Sequence, residues 1–184
     1  MNSFRLTPSR LVLLALVFTV LGALPTRAFA QLSPNPNFHN KDFYIGPRVG
    51  LGGIGGAGLG LGANAEYGIT PQIGITGTFG WSSYSFGSTA YSWTYTNLIF
   101  AVGGNYHLDI LKVKNLDTYA GVGLGWNVGS VASSDAQYPY TGSYGGFFWD
   151  LRVGGRYFFS NNLAATAELG YGFGYLRLGV DIKL

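Results

Sequence analysis

Residues 175–184 read YLRLGVDIKL. Leu176, Leu178, Val180, Ile182 and Leu184 alternate there with Arg177, Gly179, Asp181 and Lys183. Successive side chains of a strand point to opposite sides of the pleat, so this period of two predicts a strand with one apolar and one charged face. The two faces need unlike surroundings, and the fold follows from what each one meets.

Working backwards, seven more alternating runs occur, at about 43–51, 58–69, 72–81, 92–107, 116–128, 146–159 and 163–173. Turn chemistry separates them: Gly-rich at 52–56, Thr-Pro-Gln at 70–72, a Lys-bearing turn at 108–115, Ser-Asn-Asn at 160–162 and Gly-Phe-Gly at 172–174. Segments 82–91 and 129–145, rich in Ser, Tyr and Gly, read as longer loops. From residue 42 onward no stretch carries a convincing 3.6-residue apolar period, so the chain reads as all-β.

Two closed architectures fit eight antiparallel strands, one with the apolar face inside and one with it outside. In the run at 58–69, Leu59, Leu61, Ala63, Ala65, Tyr67 and Ile69 oppose Gly60, Gly62, Asn64, Glu66 and Gly68. A water-exposed face has no need to be small, whereas the lumen of a narrow eight-stranded barrel does. On the apolar face, Tyr67, Trp81, Tyr106, Trp126, Trp149, Tyr157 and Tyr171 fall near strand ends, where amphipathic rings suit a membrane–water boundary. Ten residues at ~3.3 Å rise, tilted about 40°, span roughly 25 Å, the height of an apolar bilayer band. Residues 42–184 are therefore expected to form an eight-stranded antiparallel up-and-down transmembrane β-barrel with its apolar face toward lipid.

The inward face then carries Arg48, Glu66, Asp150, Arg152, Arg156, Glu168, Arg177, Asp181 and Lys183. Buried charges left unpaired are costly, so these nine are expected to pair and close the lumen. Glu168 is expected near Arg156 on one neighbouring strand and Arg177 on the other.

Composition agrees. The chain has 184 residues, 30 of them glycine, with only 10% charged against the roughly 25% usual for soluble domains. Cysteine is absent, which excludes disulfides, thiolate chemistry and Cys-ligated metals. Arg5 and Arg10, the apolar run 11–21, Pro25 and Ala28-Phe29-Ala30 form a secretory signal over residues 1–30, with cleavage expected before Gln31. Removing Arg5, Arg10 and Arg27 from eleven bases leaves eight, against eight acids. The net charge of +3 thus belongs to the precursor, and nothing favours a nucleic-acid partner. Residues 31–41, QLSPNPNFHNK, read as a flexible lead-in.

No catalytic, cofactor or metal site emerges. The histidines are His39, in the lead-in, and His107, beside Asp109 at the end of its run and read as an interfacial polar residue. Gly-rich residues 50–62 are followed by no helix that could present its N-terminus to a phosphate. Tyr138, Tyr140 and Tyr144 among Ser and Gly give segment 129–145 a composition suited, with 82–91, to contacting an extracellular ligand.

The signal, the eight alternating runs and the final strand make the chain similar to the bacterial outer-membrane β-barrel family, the small eight-stranded OmpA/OmpX-type, porin-like barrels. The resemblance implies insertion by the outer-membrane assembly machinery and residence in a Gram-negative outer membrane among its lipid and lipopolysaccharide. Both termini would be periplasmic. The last strand of such barrels usually ends in Phe or Trp; here it ends in Leu184. A structural or surface-interaction role is the expected function, with a narrow channel for small solutes as the alternative. A third reading is a lipid A-modifying enzyme, whose His-x-Ser pattern is missing here.

Overall fold

The computed structural model describes residues 33–53, 58–87, 91–134 and 139–184. The expected signal and its cleavage site at Ala28, Ala30 and Gln31 lie outside them. The strands are β1 (Phe43–Leu51), β2 (Leu59–Gly68), β3 (Ile73–Gly87), β4 (Ser92–Leu108), β5 (Leu116–Ser133), β6 (Thr141–Phe158), β7 (Leu163–Tyr171) and β8 (Leu176–Lys183). Each pairs antiparallel with the next, and β8 returns to β1 to close the barrel. The seam joins Tyr44 to Lys183 and Gly50 to Arg177.

Burial alternates residue by residue, as the sequence pattern requires. In β1 the even positions are buried and the odd ones from Ile45 onward exposed. Exposed positions hold the large apolar side chains, such as Val102, Leu124, Trp149 and Leu169, while buried ones hold the charges. The solvent preference of a soluble protein is inverted, so the outer face must meet a medium as apolar as itself. Phe43 pairs with Tyr67, Ile73 with Tyr106 and Leu116 with Tyr157, giving one aromatic girdle. Trp81, Trp126, Trp149 and Tyr171 give the other. Tyr106 lies eight residues along β4 from Leu98, the partner of Trp81; at ~3.3 Å rise and ~40° tilt that is about 20 Å of height.

Two expectations are corrected. Segments 82–91 and 129–145 are largely strand: β3 and β4 stay paired to Gly87–Ser92, and β5 and β6 to Ala132–Thr141. The tips 88–90 and 135–138, and residues 54–57 of the first turn, lie outside the described residues. The extension lacks an apolar outer face, which is why it read as loop. Cross-strand pairs hold it instead. Tyr84 stacks on Tyr95 with ring centroids 5.0 Å apart, and Ser85 and Thr94 hydroxyls meet at 2.9 Å.

The second correction concerns the lead-in. From Pro34 it crosses the end of the barrel and is tied down. Asn35 and Phe38 are buried, and Lys41 N–H donates to Gly68 carbonyl at 2.8 Å. Residue 68 must be glycine here, because a Cβ would overlap the His39 carbonyl.

The lipid-facing assignment has a direct test. Val102→Arg, on the outer face midway along β4, is expected to cost about 2–4 kcal/mol in urea unfolding from lipid vesicles. Ser85→Arg, on the same face of the extension but beyond the girdle, should stay within about 0.5 kcal/mol of the parent.

Candidate functional site in the barrel lumen

Eight strands close a narrow lumen that side chains can fill, and its contents fall into three layers. The central layer is organised by Arg156 on β6. Its Nη2 donates to Glu66 Oε2 at 2.6 Å, its Nη1 to Asp117 Oδ2 at 3.1 Å and its Nε to Asp181 Oδ2 at 2.7 Å. One planar guanidinium thus bonds carboxylates from β2, β5 and β8, using the fixed fork that distinguishes Arg from Lys. The Tyr44 ring covers it at 4.0 Å, a cation–π contact in a desolvated setting. Arg48 closes the seam, with nitrogens 2.7 and 2.9 Å from the two oxygens of Asp181.

His107 on β4 belongs to this layer. Its Nε2 lies 2.9 Å from Glu66 Oε1, and its Nδ1 lies 2.9 and 3.0 Å from the Asp117 oxygens. Ionised carboxylates only accept, so a ring with one on each nitrogen donates from both and carries a positive charge. His107 is fully buried, which corrects the interfacial reading. That reading was drawn from its neighbour Asp109; its true partners stand 41 residues back and 10 ahead.

Asn105 links this cluster to a second one. Its Nδ2 donates to Glu66 Oε1 at 2.8 Å, and its Oδ1 accepts from Arg152 Nε at 2.8 Å. Arg152 and Arg177 both pair with Asp150. Glu168 lies 3.7 Å from Arg177 and accepts the Tyr119 hydroxyl at 2.7 Å. Glu168 does not pair with Arg156, the other expected partner. Counted together, Glu66, Asp117, Asp150, Glu168 and Asp181 balance Arg48, Arg152, Arg156, Arg177 and protonated His107, so the buried charges cancel. With Thr76 on β3 bonded to Arg152 and Thr166 on β7 bonded to Asp181, every strand contributes to one network.

Lys183 stands apart. It leaves the network for the rim, where Nζ donates to Asp42 Oδ2 at 2.7 Å. Asp42, just before β1, also accepts from Tyr44 hydroxyl and His39 N–H, both at 2.8 Å. This carboxylate anchors the end layer. There Phe38 lies flat on His107, with centroids 3.5 Å apart and planes 3° from parallel, while Asn35 Nδ2 donates to the Leu108 and Leu116 carbonyls. At the opposite end Phe173, on the β7–β8 turn, folds inward against Ile99, Ala101 and Phe148. Its ring occupies the space that a Cβ at Gly80 would need, with Gly50, Gly60 and Gly62 also against it. The sequence reading missed Asp117, Asp42 and Phe38. Asp117 could have been found, since it shares the inward parity of Tyr119 and Gly121.

Lined with charges inside and wrapped in an apolar belt outside, the fold defines a transmembrane β-barrel. The family model for the outer membrane protein β-barrel domain matches residues 16–181, and the chain belongs to that family, a protein of the bacterial outer membrane. A structure from the de novo design of transmembrane β-barrels superposes with a TM-score of 0.53 at 15% identity, covering 79% of this chain and 97% of that one. The N-terminal β-barrel domain of Pseudomonas aeruginosa OprF gives 0.47 at 18%, covering 79% and 98%. Ail, the attachment invasion locus protein of Yersinia pestis, gives 0.48 at 16%, covering 78% and 95%. No curated protein matches the sequence.

Two predictions follow from the network and its anchor. Arg156→Ala strands three buried carboxylates and should destabilise the folded barrel by about 3–5 kcal/mol, read as a lower urea midpoint in vesicles. Arg156→Lys keeps the charge but not the three-way fork and should fall between. For Asp42, burial pushes the carboxyl up, but Lys183, the Tyr44 hydroxyl and the His39 N–H outweigh it and hold the group below its ordinary value of 3.8. A lowered folded-state pKa stabilises above the ordinary value and stops doing so as pH falls through the folded one. Amide exchange at residues 35–41 should therefore accelerate, relative to the rest of the barrel, on acidification below about pH 4. In Asp42→Asn it should already be fast at pH 7.

Proposed function

We propose that the protein is a non-conducting outer-membrane barrel with a structural and surface-interaction role, its contacts made by the extended β3–β6 hairpins. It is oriented with Pro34 and Leu184 toward the periplasm. The observation that carries the closed lumen is the layering just described: Phe38 on His107 at one end, the Arg156-centred network in the middle, and Phe173 with Phe148 at the other. A permeating solute would have to separate buried ion pairs in succession, each worth several kcal/mol to break. The orientation is supported by the pattern of short periplasmic turns and longer extracellular connections in such barrels. The long hairpins here stand at the end opposite the 69–72 and 159–162 turns. Insertion by the outer-membrane assembly machinery and surroundings of lipid and lipopolysaccharide belong to the same reading.

Catalysis finds no support in the lumen. His107 has both nitrogens engaged by carboxylates and one face covered by Phe38, which leaves no open position for a substrate or nucleophile.

Planar-bilayer recording of the refolded protein tests the proposal. A flat trace is expected at potentials where an open porin gives unit steps. Reproducible single-channel steps, abolished by heat denaturation, would defeat the closed-lumen reading.

A further inference from the structure

Beyond the girdle the two faces of the sheet exchange character. The outward positions of the extension include Ser83, Ser85, Thr94, Thr96, Ser130 and Ser143, with Ala132 and Gly87 the small residues among them. The inward positions form a row of rings: Tyr84 stacked on Tyr95, Tyr95 edge-on to Tyr144 at 6.4 Å, and Trp93 edge-on to Tyr140 at 5.5 Å. Hydroxyls outward are what water requires. Rings inward require a cover, and β1, β2, β7 and β8 stop too short to supply one, since β2 pairs with β3 only to Trp81 and β7 with β6 only to Leu151.

At the foot of this row, level with the girdle, lies a cleft of about 420 Å³ between the free edge of β6 and the β7–β8 turn. It is lined by Asn127, Tyr144 and Phe148, by the outward Phe147 and the girdle residue Tyr171, and by Tyr175. Its size suits a small ligand. Its polar groups are incompletely used. Asn97 Oδ1 accepts from Asn127 Nδ2 at 3.0 Å and from the Tyr144 hydroxyl at 2.8 Å. Asn127 Oδ1, on a residue that lines the cleft, has no protein partner; Asn97 Nδ2 and Ser82 Oγ also lack one, but neither residue lines it. Buried polar atoms without partners call for something to bond, and in the cleft one such acceptor, Asn127 Oδ1, shares the lining with aromatic rings.

Charge narrows the class. Residues 82–98 and 127–149 contain no Lys, Arg or Glu, and Asp135 is their one acid. Nothing there would attract a sulfated or phosphorylated polymer, nor a cationic one. Ring faces for the C–H faces of a pyranose, with the Asn127 amide and the Tyr144 hydroxyl for its hydroxyl groups, match an uncharged sugar. The row runs from Tyr144 to Tyr140, four residues or roughly 13 Å along the strand, away from the lipid boundary and toward the medium.

We propose that the cleft and the aromatic row above it bind a free, uncharged oligosaccharide from outside the cell, one unit in the cleft beside Asn127 and the chain along Tyr144, Tyr95 and Tyr140. This names the ligand class for the surface role proposed above and rests on that reading.

The test uses the full barrel in nanodiscs free of lipopolysaccharide. Titration calorimetry with maltohexaose and with cellohexaose is expected to show saturable binding of at least one, unchanged between 50 and 500 mM salt. Tyr144→Ala and Asn127→Leu should each weaken it at least tenfold, and Ser85→Ala, on the outward face, should not. Heat-modifiable gel mobility identifies any variant that has failed to fold; for such a variant, protection of tryptophan fluorescence from acrylamide by bound sugar, present in the parent and lost in Trp93→Phe, serves instead. The proposal is overturned by binding of neither sugar, by binding indifferent to both substitutions, by salt-sensitive binding of heparin in their place, or by binding of lipopolysaccharide alone. Bilayer recording on the same preparation separates the two readings: a silent barrel that binds no sugar refutes this inference and leaves the closed-lumen reading standing.

Discussion

The ionic centre of the barrel depends on one guanidinium. Arg156 is fully enclosed and bonded to carboxylates from three other strands. A charge in that position is tolerable only because its partners neutralise it at hydrogen-bond distance, and the partners are tolerable only because Arg156 is there. Glu66 and Asp117 pass the constraint to His107, and Asp181 passes it to Arg48 across the seam. The closure of β8 on β1 is thus secured twice, by the backbone ladder outside and by ion pairs within.

A lipid-facing barrel cannot use an apolar core, because its apolar residues are committed to the outer surface. The interior must be filled by what remains, and small residues alone would leave voids. Glycines on the inward face make room for a few long side chains that reach the barrel axis. The Phe173 ring lies in space left by Gly80, and the Tyr144 ring lies over Gly129. Two apolar clusters, around Phe38 and around Phe173, then flank the ionic layer at both ends. Burial strengthens each ion pair between them.

The extension obeys a different solvent. Below the girdle the medium outside is hydrocarbon, and above it the medium is water, so the outward face turns from Val, Leu and Trp to Ser and Thr within one strand. The strand itself is continuous. Reading β3 to β6 as strand followed by loop mistook a change of surroundings for a change of backbone, because period-two apolar alternation is lost when both faces contact water or other rings. Cross-strand Ser–Thr and Tyr–Tyr pairs carry no periodic hydrophobicity, yet they hold the ladder.

Strand number, the lipid-facing side of each strand and the inward charges were legible from alternation alone, since a pleat fixes the facing of every residue once one is known. That rule reached Arg48, Glu66, Asp150, Arg152, Arg156, Glu168, Arg177 and Asp181 directly, and it extends without change to Asp117. It could not say who pairs with whom. Glu66 and Arg156 are 90 residues apart, and only the register and stagger of all eight strands bring them to one height in the lumen. It also gave no sign that Phe38, in a Pro- and Asn-rich stretch, would stack on His107, because a cap is set by the cavity it fills. The sequence determined the barrel and its two faces through local geometry. The tertiary structure alone decided the ion-pair partners, the plugs and the cleft, because those depend on distances across the lumen that no local pattern encodes.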